Sequence, residues 1–230
     1  MFDRSGSLTF FRFSAIFRNM TRAPSFAGVI LAAGESSRMG TDKALLPWPP
    51  RGPGDPASTD TFLSAAIRSL GFATDFVVVV VGNNESSLAP VAYANAASVV
   101  TNPDAGRGQF SSLQVGLQEV LNQGRDAAMI TLVDRPPVGS ATLELLRHAF
   151  ESAPDPTWAV VPEFSGQHGH PFVVGREMIE AFLQAPSTST AREVEHRYQN
   201  HIQYIAVTDP FVALNINTPA EYASLLAKSS

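Results

Sequence analysis

Short apolar runs, separated by turns rich in glycine, proline and polar residues, recur along the chain from residue 28 onward. Residues 29–31, 76–81, 98–100 and 128–133 are each strand-sized, and the five valines after Phe76 leave no polar face, as a central strand covered on both sides requires. Between them, residues 61–70 put Phe62, Ala65, Ala66 and Leu70 on one helical face. A second helix carries Leu113, Leu117, Val120 and Leu121 inward, with Ser111 or Ser112 as its cap and Gly124 as its end. Ser140 reads as the N-cap of a third, bearing Leu143, Leu146 and Phe150. Residues 158–161 and 202–207 are further strands, and residues 176–183 are helical. Thr190 with Glu193, and Thr218 with Pro219 and Glu221, open two more helices. This alternation predicts an α/β domain with a mostly parallel sheet, right-handed crossovers and helices on both faces. Ligands then gather outside the carboxyl ends of the strands.

Composition narrows the picture. The 230 residues fit one domain with a real core, and no apolar run is long enough to span a bilayer. The lack of cysteine excludes disulfides, thiolate nucleophiles and thiolate metal sites, which is compatible with a cytoplasmic protein. A net charge of -5 argues against nonspecific nucleic-acid binding, so any polyanion must meet a local cluster of donors. Residues 1–25 stand apart: Arg4, Arg12, Arg18 and Arg22 face the single acid Asp3, and Phe10, Phe13 and Phe17 fall at helical spacing. Arg12 and Arg18 interrupt any secretory apolar core. We expect a disordered extension over residues 1–25, with Met20 as an alternative start and no stable membrane contact, and a domain over residues 26–230. Residues 48–59 form a proline- and glycine-dense loop, either a lid over an acceptor or a plain surface insertion.

The chemistry concentrates in residues 28–43. The apolar residues 29–31 pass straight into Gly34, Ser36, Ser37, Arg38, Gly40 and Lys43. Glycines allow backbone N–H groups to approach an anion, and the hydroxyls, guanidinium and ammonium add donors around the same concavity. Neither G-x-G-x-x-G nor G-x-x-x-x-G-K-[ST] is present, which leaves a polyphosphate turn of another kind or a plain glycine-serine turn with a surface charge pair. Asp134 follows a buried strand and is stopped by Pro136 and Pro137, where a carboxylate can hold Mg²⁺ beside substrate phosphates. Asn215 and Asn217 fall on one side of an extended segment. His168 and His170 are two apart beside glycines, but no third ligand lies at a recognisable spacing, so a metal site there is not favoured. Arg107 can add a phosphate contact or simply face solvent.

Residues 31–40, Leu-Ala-Ala-Gly-Glu-Ser-Ser-Arg-Met-Gly, with Lys43 and then Leu45-Leu46-Pro47, resemble the signature of the MobA-like nucleotidyltransferases. Within them the stretch looks closest to the molybdenum cofactor cytidylyltransferase (MocA-like) branch. The resemblance implies a single Rossmann-like domain of the nucleotide-diphospho-sugar transferase type. It assigns Leu31, Ala32, Ala33, Gly34, Ser36, Ser37, Arg38, Gly40 and Lys43 to the nucleotide, with Arg38, Lys43 and Asp134 as the catalytic set. Gly108, Gln109 and Ser112 would border its base and sugar. Asp134 matches the family's Asp-x-Pro metal motif and Asn217 its closing Asn-x-Asn-Thr-Pro, so Mg²⁺ is the implied cofactor. His168, Gly169, His170 and Pro171 match the turn where the acceptor docks, although many relatives carry arginine where this chain has His168. Leu-Ala-Ala-Gly, rather than Leu-Ala-Gly-Gly, resembles relatives that use CTP, a feature shared by users of UTP. The expected reaction moves a nucleoside monophosphate from an NTP to a phosphorylated acceptor, molybdopterin first and a sugar phosphate second, releasing pyrophosphate. A non-catalytic nucleotide or cofactor carrier for a molybdenum enzyme is the alternative from another class. Arg38, Lys43, Asp134 and Asn217 together favour the enzyme.

Overall fold

The computed structural model describes residues 23–34, 42–50, 60–186 and 188–226. The expectations for Ser36, Ser37, Arg38 and Gly40, for most of the 48–59 loop and for residues 1–22 lie outside these. Ser25 is tied to the domain, its N–H and Oγ both donating to Asp126 Oδ2 at 2.8 and 2.7 Å.

Eight strands form one sheet: β1 (Phe26–Leu31), β2 (Phe76–Val81), β3 (Ser98–Thr101), β4 (Ala127–Leu132), β5 (Ala159–Phe164), β6 (Gln167–His168), β7 (Phe172–Gly175) and β8 (Ile202–Ala206). Their order is β3-β2-β1-β4-β7-β5-β6, with β8 also paired to β5. The β3-β2-β1-β4 half is parallel throughout. Beyond it β7 runs antiparallel to both β4 and β5, and β8 returns parallel to β5.

Burial on both faces follows from the apolar runs. Ile30, Val79 and Met129 meet α1 (Phe62–Gly71), α2 (Glu85–Ala94) and α4 (Ser140–Glu151) on one side. Val29, Val78, Val80 and Ile130 meet α3 (Gln109–Asn122), α5 (Arg176–Gln184) and α6 (Ala191–Arg197) on the other. Each fully covered Val, Leu or Ile contributes about 1.5–3 kcal/mol, so the two layers, rather than the turns, carry the fold. A third, small cluster joins Phe62, Ile216 and Leu225, with Trp48 and Tyr222 packed against it, and fixes α7 (Pro219–Leu226) to the start of α1. No described helix is long and apolar enough to cross a membrane.

Two expected caps are corrected. Ser111 and Ser112 lie inside α3, whose N-cap is Gly108 at φ +98, a conformation that glycine adopts without strain. Ser140 is the first residue of α4 rather than its cap. The N-cap is Gly139, which makes no side-chain cap bond, and Asp209 tethers this end, its Oδ2 accepting from Gly139 N and Thr142 Oγ1 at 3.0 and 3.3 Å. The capping box of Thr190 and Glu193 is present, as is the reciprocal pair of Thr218 and Glu221. Helix α2, with Pro90 inside it, is an element the apolar pattern does not reveal.

Candidate active site

The carboxyl ends of β1 and β4, the start of α3 and the segment before α7 enclose a cavity of about 250 Å³. Its walls include Leu31, Ala33, Gly34, Lys43, Asp134 and Asn217, with Gly108, Gln109 and Ser112 opposite. Residues far apart in the chain therefore converge. Lys43 Nζ lies 3.6 Å from Asp134 Oδ2 and donates to Asn217 Oδ1 at 3.2 Å. The Lys43 and Asp134 side chains keep only 14% and 24% exposure, so solvent screens their attraction incompletely. Asp134 Oδ1 is enclosed and has no hydrogen-bond partner among the described residues. A buried carboxylate oxygen left without a donor is costly, and it fits a cation ligand.

Asn217 is held from both ends. Its N–H and that of Thr218 donate to Glu221 Oε2, and these bonds lower the Glu221 carboxyl below its ordinary range, with the Asn217 N–H foremost. Ile216 N donates to the Asp134 carbonyl at 2.9 Å, which locks the two strand-end segments together. Tyr222 Oη donates to the Pro47 carbonyl at 2.7 Å, joining α7 to the chain just after Lys43. Asn215, by contrast, lies off the cavity wall, with its Oδ1 buried and without a hydrogen-bond partner among the described residues.

Three positioning residues escape a reading of the sequence. Asn84 Nδ2 donates to the Ala32 carbonyl at 2.9 Å and to Asp42 Oδ2 at 2.7 Å. Asp42 Oδ1 in turn accepts from Ala44 N at 3.0 Å, capping the 3-10 turn that carries Lys43. Buried Asn102 donates to Ser111 Oγ and Ser112 Oγ at 2.9 and 3.0 Å, and its Oδ1 accepts from Asp104 N. Only Asn102, directly after β3, carries a signal in the sequence, an amide at a strand end.

Ala32 stays behind the wall, its N–H donating to the Val80 carbonyl and its own carbonyl taken by Asn84, so it shapes the turn without facing the cavity. Gly108 leaves the first turn of α3 without a side-chain cap, so its N–H groups remain open to an anion. Arg107 does not line this cavity; it lies 3.9 Å from Asp104 and faces a neighbouring trough.

The turn predicted for the acceptor divides. His168, Gly169 and His170 border a trough of about 460 Å³ together with Glu195, His196 and Tyr204, whereas Pro171 lines a separate narrow cleft beside Arg135 and Pro136. His168 stacks on Tyr204 with ring centroids 4.0 Å apart and lies 3.5 Å from Glu163. His170 Nδ1 is enclosed without a hydrogen-bond partner among the described residues, and burial, then the charge of Arg135, lowers the imidazole to about 3. A Cβ on Gly169 would collide with the Val212 carbonyl, which itself accepts from His170 N at 2.9 Å and from Arg135 Nη1 at 3.2 Å. The trough is thus tied through Val212 and Arg135 to the residue next to Asp134. Among the described residues no three His, Cys, Asp or Glu side chains cluster as metal ligands.

Comparison with known proteins follows this geometry. The molybdenum cofactor guanylyltransferase of Xanthomonas euvesicatoria pv. vesicatoria is 29% identical over 90% of this chain and 97% of its own length. The molybdenum cofactor cytidylyltransferase of Escherichia coli K12 is 24% identical over 84% of this chain and 92% of its own. Among solved structures, Rv0371c from Mycobacterium tuberculosis H37Rv superposes with a TM-score of 0.70 at 25% identity, covering 88% of this chain and 98% of that one. Residues 28–202, from within β1 to the start of β8, match the MobA-like NTP transferase domain, and the chain belongs to that family.

Proposed function

We propose that this nucleotidyltransferase moves a nucleoside monophosphate from an NTP, with CTP preferred, to the phosphate of molybdopterin and releases pyrophosphate. The observation that carries the reading is the meeting of Lys43, Asp134 and Asn217 on one wall of a cavity whose other wall is the uncapped start of α3. An acceptor phosphate oxygen attacks the α-phosphorus, the bond from that phosphorus to the bridging α–β oxygen breaks, and pyrophosphate leaves. A phosphate monoester is already mostly a dianion near neutral pH, its second pKa being about 6, so the protein need not supply a strong base. What the chain supplies is placement and charge: Lys43 and the backbone at Gly34 on the triphosphate, and Gly108, Gln109 and Ser112 around the base and sugar.

Asp134 and Asn217 fit a hard divalent cation, since both offer oxygen, and the enclosed Asp134 Oδ1 lacks any other partner among the described residues. Bound there, Mg²⁺ would neutralise phosphate charge as it develops. Leu-Ala-Ala-Gly at residues 31–34, the version that resembles relatives using CTP rather than GTP, supports CTP, and Ala33 lines the cavity. The relatives support the acceptor, since both guanylyl and cytidylyl members act on the molybdenum cofactor by name. Pyrophosphate release with Mg²⁺ should be measured with CTP, GTP, UTP and ATP in competition, against molybdopterin and a panel of sugar 1-phosphates. CTP with molybdopterin is the expected pair. Preference for GTP would overturn the base assignment, and release with a sugar phosphate alone would overturn the acceptor.

A further inference from the structure

The trough beside His168 contains a carboxylate that no described residue engages by a hydrogen bond or ion pair, although the charge of Arg192 acts on it. Glu195 of α6 is half-buried, and among the described residues no hydrogen bond or ion pair engages its side chain. Burial pushes its carboxyl up to about 7, with Arg192 of the same helix partly offsetting the rise. Across the trough, β8 presents Tyr204, whose hydroxyl is raised by burial and by the charges of Glu195 and Glu163. The stacked Tyr204 and His168 rings, 13° from parallel, make a flat aromatic wall next to that carboxylate. A half-buried anion without a donor disfavours the empty protein, and a ligand that brings the donors removes the penalty.

The ligand must therefore be planar along one side and carry paired N–H groups at the spacing of a carboxylate. It must also reach the transfer centre. Gly108 and Gln109 border both the 250 Å³ cavity and a second trough of about 450 Å³, and Arg192 borders both that trough and the one containing Glu195. The three hollows thus adjoin in series between Lys43 and Asp134 at one end and Glu195 at the other. A 2-amino-4-oxopyrimidine ring meets these demands, since its N3–H and 2-amino group are parallel donors on one flat edge.

Resting on the reading that molybdopterin is the acceptor, we propose that this trough seats its pterin ring, with Glu195 accepting two parallel hydrogen bonds from N3–H and the 2-amino group along the His168–Tyr204 wall. Glu195 then selects the acceptor without touching the reacting phosphates. Recognition also becomes sensitive to pH. The groups facing Glu195 are Arg192 and His196 from α6, His168 from β6, His170, Tyr204 from β8 and Glu163 from β5. Ring affinity rises as Glu195 ionises through about pH 7 and falls below it.

The full chain is tested with pterin and with lumazine, which carries an oxygen in place of the 2-amino group and so turns a donor into an acceptor. Wild type should bind pterin at least about tenfold more tightly than lumazine, and pterin should compete with the acceptor but not with CTP. Glu195→Gln should abolish the preference and raise KM for molybdopterin about tenfold, with CTP binding and the thermal midpoint unchanged. Equal affinity of wild type for the two rings, no binding of pterin, or a preference that survives in Glu195→Gln overturns the proposal. The wild-type comparison needs no variant, so a misfolded Glu195→Gln leaves the decision with it. Pterin preference without pyrophosphate release from CTP and molybdopterin keeps the ring site and refutes the transfer reaction. Turnover of molybdopterin with an unchanged KM in Glu195→Gln does the reverse.

Discussion

Asn84→Ala removes a strut between two strand exits, and its effect can be worked out from three distances. Asn84 stands at the N-cap of α2 but makes no cap bond, so the substitution spares that helix. What it loses is the bond to the Ala32 carbonyl at 2.9 Å, the bond to Asp42 Oδ2 at 2.7 Å and the bond from Gly82 N at 3.1 Å. Neutral bonds contribute about 1 kcal/mol each and the one to a carboxylate about 2, so about 4 kcal/mol is the ceiling. Asn84 is half-buried and water can replace part of this, which leaves a loss of about 2 kcal/mol and a fall in Tm of about 4–8 °C. Asp42 would then hold the Lys43 turn without its own anchor. We expect KM for the nucleotide to rise about tenfold, read by pyrophosphate release at fixed acceptor. Asn84→Asp, nearly identical in shape, should be worse above the carboxylate range, because it sets a second anion against Asp42 and one of the two must take up a proton. An unchanged nucleotide KM in Asn84→Ala, or an Asn84→Asp variant no worse than the alanine one at pH 8, would refute the strut.

Gly169→Ala should destabilise the protein by about 3 kcal/mol in chemical denaturation, because the added methyl meets the backbone of Val212 rather than a movable side chain. Asp209→Ala should cost about 1–2 kcal/mol through the start of α4 while leaving nucleotide KM unchanged, a separation that thermal melts and initial rates resolve. His170 contributes to the pH dependence of stability with a definite sign. Its folded pKa of about 3 lies below the ordinary 6.5, so its contribution is complete above pH 6.5 and is lost as pH falls toward 3, by at most about 1.4 kcal/mol per unit. Glu195, raised from 4.5 to about 7, acts in the opposite sense as pH rises through that interval. The test is accordingly the difference between wild type and His170→Gln, which should shrink from pH 7 to pH 5; a constant difference would contradict the buried neutral imidazole.

The parallel half of the sheet was legible because β1, β2 and β4 are apolar on both faces, and such runs admit few alternatives. The other half was not: β7 reverses direction through pairings with β4 and β5, which no local pattern encodes. Helix α2 buries only Leu88 and Ala92 and contains Pro90, so its sequence resembles a loop. At the site, Lys43, Asp134 and Asn217 could be found because each follows a strand or precedes a helix at the ligand-bearing edge. Asn84 and Asn102 could not, since their value lies in bonds that cross between loops. Glu195 is one charge among several on a short polar helix, and its place in the trough beside Tyr204 follows only from the packing of α6 near β8.

The central claim is that Asp134, with Asn217 and Lys43, forms a metal-dependent transfer centre, and the most direct measurement is pyrophosphate release from CTP and molybdopterin by wild type and Asp134→Asn, each with Mg²⁺ and with a chelator. The account predicts release by wild type with Mg²⁺ alone, and a fall of about a thousandfold in Asp134→Asn with the fold intact by circular dichroism. Wild-type rates from Asp134→Asn, or undiminished release in the chelator, would contradict it.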